Sequence, residues 1–90
     1  MAQTVVVEMI KAGAQVVDVR TAEEFSDGAY PGALNVPVGD LARRMVEIKK
    51  DKAVVLYCAS GARSSMAARM LKQAGYAEVV NAGGFGDMPR

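Results

Sequence analysis

The sequence predicts one small α/β domain: a parallel sheet of four or five strands with helices on both faces. Two observations carry that prediction. Short valine-rich runs recur along the chain, and stretches of helical periodicity fall between them, with glycine and proline at the junctions. Strands alternating with helices call for parallel pairing, because each crossover returns the chain to the same end of the sheet. Residues 1–90 read as a single domain, without repeats, linkers or low-complexity tracts.

Element by element, "TVVVEMIKAG" is ambiguous at first. Its β-branched residues favour a strand, whereas Thr4 and Gly13 look like helix ends; helix is the reading taken. "QVVDVR" (Gln15 to Arg20) is a buried strand. In "TAEEF", Thr21 and Glu24 stand at capping-box spacing and predict a short helical turn. "SDGAYPGA" is turn chemistry, and "LNVPV" is a second short strand ended by Pro37. Asp40 is expected to cap the helix "LARRMVEIKK", with Leu41, Met45 and Ile48 on one face.

"AVVLY" is the most apolar strand and therefore central. A helix from about Ser64 to Ala74 follows, with Met66, Ala67, Met70, Leu71 and Ala74 turned inward and Gly75 just past its end. "AEVVN" is the last strand, and "AGGFGDMPR" is a glycine-rich tail.

Composition narrows the function. A formal charge of +1, with no basic stripe interleaved with aromatics, gives no case for nucleic acid. No apolar run is long enough to span a bilayer, so no membrane partner is expected. The start lacks a basic leader, which makes a cytoplasmic location the default expectation; a periplasmic protein whose leader was removed would read the same. One cysteine cannot close an internal disulfide. Histidine is absent, which removes imidazole bases and most zinc sites; neither a metal nor a cofactor is implied.

That cysteine, Cys58, lies in "YCASGARSS", at the carboxyl end of the third strand and just before a helix. In parallel sheets this is where ligands bind. Helix amino termini offer unpaired N–H groups and a partial positive charge. Ala59, Ser60, Gly61 and Ala62 are small enough for the backbone to curl around the sulfur, and Gly61 tolerates a positive φ. Arg63 adds a permanent cation. Together these favour thiolate over thiol and predict a pKa below the ~8.5 of a free cysteine. The plain alternative is a packing cysteine, but a glycine-containing strand-to-helix loop ending in arginine argues for chemistry.

With those residues in place, the chain resembles the single-domain rhodaneses, a sulfurtransferase family. The resemblance runs in order through "VVDVRTAEEF", "GAYPGALNVP", "VVLYCASGARSSMAARMLKQAGY" and "VVNAGG". It implies a rhodanese-type α/β fold and a cysteine that cycles through a persulfide. A donor such as thiosulfate would give its outer sulfur to Cys58, and cyanide, a thiol or a protein would remove it. Loop amides from Ala59 to Ser64 would stabilise the persulfide charge, and Arg63 would bind the donor's oxyanion. Asp18 and Arg20 match the family's D-V-R segment. Asp18 is read as an acceptor for loop donors and Arg20 as a partner of Glu24, with a purely structural role the better reading for both.

The chain departs from the family in three places. Ala29 stands where many members have histidine, Phe85 where many have tryptophan or tyrosine, and the segment before Val16 is short enough that the first strand of larger rhodaneses is expected to be missing. The trimmed form and the closing "NAGG…D…MP" resemble the periplasmic phage-shock rhodaneses.

Rival readings are weaker. Rhodanese-fold phosphatases and arsenate reductases typically space cysteine and arginine one residue further apart, making room for a tetrahedral oxyanion; the shorter ring here fits sulfur better. An arsenate reductase that resolves through a second internal thiol is excluded by the cysteine count. Ser60, Ser64 and Ser65 lack a histidine to activate them as nucleophiles. The non-enzyme alternative is a persulfide carrier that hands sulfur to a partner protein.

Overall fold

The computed structural model describes residues 2–89. Four strands, β1 (Gln15–Asp18), β2 (Leu34–Asn35), β3 (Val54–Cys58) and β4 (Val79–Gly84), form one sheet in the order β2-β1-β3-β4. Every pairing is parallel. The α/β expectation and the central place of β3 therefore hold. All five residues of β3 are buried, because the strand is paired on both edges and covered on both faces.

Strand parity divides the core in two. Val54, Leu56 and Cys58 face the side packed by Leu41, Ile48, Ala67 and Leu71. Val55 and Tyr57 face the side packed by Val6, Met9 and Met88. Val6 and Met9 come from α1 (Ala2–Lys11), which is a helix despite its run of valines. Two buried side chains three residues apart give it a face, and Gly13 (φ 96°) turns the chain into β1. Full burial of a side chain such as Leu56 or Leu71 contributes about 2 kcal/mol each.

The short helix α2 (Ala22–Ser26) has the predicted capping box. The Glu24 amide donates to Thr21 Oγ1 at 3.2 Å, and the Thr21 amide donates back to Glu24 Oε1 at 3.0 Å. The second predicted helix is shorter than expected. Only α3 (Leu41–Arg44) is α-helical, with 3-10 turns at Val38–Asp40 and Met45–Glu47. Asp40 does not cap it: that residue already has helical backbone angles as part of the preceding 3-10 turn, and its carboxylate pairs with Arg43 at 3.2 Å. The segment ends at Ile48, whose backbone is extended. The Lys49 amide that would continue the helix donates to Gln15 Oε1 at 2.8 Å, and the Tyr76 hydroxyl lies between the carbonyls of Met45 (3.0 Å) and Ile48 (2.6 Å). Leu41 and Ile48 are nevertheless buried, and Met45 packs against them, as their spacing predicts.

The helix after Cys58, α4 (Ala62–Gln73), begins two residues before Ser64. Its buried face is Ser64, Ala67, Ala68 and Leu71, so Ala67 and Leu71 lie inward as predicted, whereas Met66 does not and is 59% exposed. Small side chains, not the methionines, let α4 lie close on the sheet. Met70 and Ala74 pack at the margin of that core, and Gly75 (φ 97°) ends the helix as expected. The strand β4 runs three residues past Asn81 into the predicted tail, followed by a 3-10 turn at Phe85–Asp87. Among the described residues, no helix is long and apolar enough to cross a membrane.

Candidate active site

The sheet delivers Cys58 to the end of β3, and the chain must then turn sharply to start α4. Gly61 makes the turn, at φ 102° in the left-handed region. This swings the free N–H groups of the helix amino terminus onto the sulfur. The Gly61 amide donates to Cys58 Sγ at 2.9 Å and the Ser64 amide at 3.4 Å; the Ser64 hydroxyl lies 3.4 Å from Sγ. Cys58 is fully buried, and those hydrogens point at its sulfur rather than outward. Burial alone would raise the thiol's pKa. Hydrogen bonds from the Ser64 hydroxyl and from the Ser64, Ser60 and Gly61 amides outweigh it and hold the pKa lowered, at about 7. Ala59, Ser60 and Ala62 are exposed along the same loop.

The loop fits only because β4 ends in glycine. Leu56 pairs with Asn81 but Cys58 pairs with Gly84, so β4 carries one residue more than β3 there and bulges, with Gly83 at φ 98°. A Cβ on Gly84 would collide with the Ala59 carbonyl oxygen and stand 3.1 Å from its carbon. One on Gly61 would already touch the Gly83 backbone at 3.4 Å. Loop and strand are in backbone-to-backbone contact.

Arg63 makes a bidentate pair with Glu24, Nη1 to Oε1 at 2.7 Å and Nη2 to Oε2 at 3.0 Å, with both side chains 35% exposed. The Arg63 guanidinium and the Thr21 cap together hold the Glu24 carboxyl down, at about 2. Arg63 also lies near enough to Cys58 for the two charges to attract. The sequence reading paired Glu24 with Arg20; that assignment is corrected here. Arg20 instead folds back on Asp18, donating Nη2 to Oδ2 at 2.6 Å and its own amide to Oδ1 at 2.8 Å. Asp18 is fully buried, so a charge two residues away on its own strand end is the partner that satisfies it.

The expected role of Asp18 toward the loop is corrected as well: among the described residues, its carboxylate accepts from the Arg20 amide and guanidinium and not from the loop. Arg20 also donates to the Gly28 carbonyl at 2.7 Å and lies over the rings of Phe85 (4.6 Å) and Tyr57 (5.5 Å). Arg20 thus ties Asp18 to the Gly28 carbonyl beside the site.

Sequence reasoning missed Asn81. Its Oδ1 accepts from the Ser64 hydroxyl at 2.6 Å and from the Gly83 amide at 2.9 Å, while its Nδ2 donates to the Gly61 carbonyl at 3.2 Å. The available signal was parity: Asn81 pairs with Leu56 and follows Val79 by two, which puts a lone amide on the cysteine's side of the sheet.

A cysteine sulfur cradled by amide hydrogens at a helix amino terminus, at the carboxyl end of a central parallel strand, defines a class of α/β proteins. Comparison with known proteins gives the family. The rhodanese-like domain family model matches residues 2–87, and the chain belongs to that family. It is 49% identical over 65 residues to a sulfurtransferase from Allochromatium vinosum, covering 72% of this chain and 61% of that one. It is 35% identical over 74 residues to the thiosulfate sulfurtransferase PspE of Escherichia coli, covering 80% of this chain and 71% of that one. Among solved structures, a rhodanese with anions from E. coli superposes with a TM-score of 0.78 at 33% identity, covering 86% of this chain and 95% of the other. This chain thus spans 61% of the length of the Allochromatium relative.

Proposed function

We propose that the chain is a sulfurtransferase that moves a sulfane sulfur through a persulfide on Cys58. The observation that carries this reading is the Cys58 sulfur, which receives amide hydrogens from Gly61 and Ser64 and has its pKa near neutrality. The Cys58 thiolate attacks the outer sulfur of thiosulfate. A Cys58 S–S bond forms, the S–S bond of thiosulfate breaks, and its electron pair leaves with sulfite. The negative charge moves to the outer sulfur, where the loop amides of residues 59–64 are the available donors. Cyanide or a thiolate then takes that sulfur and returns the electron pair to Cys58. No proton transfer is required at either step, which suits a chain without histidine. The relation to PspE, a thiosulfate sulfurtransferase, supports thiosulfate as the donor.

Arg63 is the cation available to a donor's oxyanion, after exchange with Glu24. That same pair favours a second reading. A small anionic donor must compete with a bidentate carboxylate, so a protein acceptor or donor that needs no free cation fits equally well, and the chain would serve as a carrier. Intact mass after thiosulfate treatment, followed by cyanide, separates the outcomes. Gain of one sulfur atom, lost to cyanide with release of thiocyanate, supports the enzyme. A sulfur that cyanide leaves in place supports the carrier, no gain with wild type overturns the enzyme, and gain with Cys58→Ser overturns both.

A further inference from the structure

The hydrogen bonds around Ser64 leave its single proton one direction at rest. Asn81 cannot flip, because the Gly83 amide must donate to its Oδ1 (2.9 Å) and the Gly61 carbonyl must accept from its Nδ2 (3.2 Å). Oδ1 therefore faces Ser64 Oγ at 2.6 Å, and in that contact the hydroxyl is the donor. This is its shortest contact: the Gly61 carbonyl stands at 3.2 Å, Cys58 Sγ at 3.4 Å and the Gly83 carbonyl at 3.5 Å. With the proton held toward Asn81, the Ser64–Cys58 contact is satisfied only if the thiol S–H donates to Oγ. When the thiol ionises, the hydroxyl must turn away from Asn81 to reach the sulfur.

The geometry points to Asn81 as a positioning residue that competes with the Cys58 sulfur for the Ser64 proton, keeping the thiolate more basic and more nucleophilic than the amide cradle alone would leave it. This rests on Cys58 being the nucleophile. The proton follows the charge on Sγ: toward Asn81 in the thiol, toward sulfur in the thiolate, and back toward Asn81 once a persulfide moves the charge to the outer sulfur. Each loading of sulfur thereby releases the hydroxyl to its better acceptor, which favours loading over the bare thiolate.

The charged groups on the surrounding elements are already engaged. Arg63 of α4 is paired with Glu24 of α2, Arg20 with Asp18 at the end of β1, and Asp87 with the Gly84 amide beyond β4. Replacing Asn81 changes none of these pairs directly; it also removes its own bonds to the Gly61 carbonyl and the Gly83 amide, so the direction of the shift and its dependence on Ser64 together report the hydroxyl.

The test is the pH dependence of iodoacetamide alkylation of the purified chain, which reads Cys58 whether or not it transfers sulfur. Asn81→Ala frees the hydroxyl for the thiolate. The alkylation midpoint should fall by about one pH unit, the size of one charge-assisted hydrogen bond, and the rate at high pH should fall with it. In a Ser64→Ala background the same substitution should no longer lower the midpoint. A merely structural role for Asn81 would loosen the loop and move the midpoint upward, so a rise, or no change, overturns the proposal.

A second measurement needs no Asn81 variant. Through the Cys58 titration of the wild type, the Gly83 amide proton should move downfield as its acceptor loses the competing hydroxyl, and it should stay still in Cys58→Ser. An upfield or absent shift overturns the proposal even if Asn81→Ala fails to fold. If these shifts occur but no sulfur is ever loaded, the positioning stands and only the transfer activity falls.

Discussion

Removing the thiolate should remove a pH dependence of folding. The folded chain holds Cys58 at about 7, whereas an unfolded chain exposes it at the ordinary ~8.5. Because the folded value is the lower one, the native state binds the thiolate preferentially. The resulting stabilisation is complete above the unfolded value and is lost as pH falls through about 7. A gap of roughly 1.5 units corresponds to about 2 kcal/mol, most of it appearing between about pH 7 and pH 8.5. Urea unfolding of wild type and Cys58→Ala, followed across that range, isolates the contribution, since lysine and tyrosine titrations are shared and cancel in the difference. The wild type should gain about 2 kcal/mol relative to the variant from low to high pH. Parallel curves for the two proteins would refute the amide cradle, and curves diverging the other way would mean that burial, not hydrogen bonding, governs the sulfur.

Two further outcomes follow from the site. Glu24→Gln should free Arg63 and raise kcat/KM for thiosulfate about two- to fivefold, the range of a partly exposed pair, read by thiocyanate production; a fall would place Glu24 on the donor's side of the reaction. Gly84→Ala should destabilise the fold by about 1–3 kcal/mol in denaturant and raise the alkylation midpoint of Cys58, because the new methyl must displace the Ala59 peptide. Wild-type values on both would show that the loop can move without cost.

What could be read from residues alone was whatever is local. The capping box of Thr21 and Glu24 and the glycine turn at Gly61 each depend on a few neighbours and formed where their patterns lie, and the strand read at "AVVLY" formed one residue later, as Val54–Cys58. The errors are long-range. Glu24 and Arg63 are 39 positions apart, so the nearer Arg20 looked like the natural partner until Asp18 proved to be fully buried and in need of a counter-charge. The broken helix around Leu41 has the same origin: Gln15, 34 positions away, takes the Lys49 amide that would have continued it. On α4, Met66 was misplaced because hydrophobicity was weighed above size, while Ala67 and Leu71 are buried as expected. A helix resting on a glycine-ended strand needs alanine and serine at the contact more than it needs methionine.

The contact between Gly84 and Ala59 also fixes one side of the cradle. The wall beside the sulfur is the last peptide of the sheet itself, so moving it means prying an edge strand from its neighbour. The placement of the Cys58 loop is thereby tied to the rigidity of the β-ladder rather than to any one side chain.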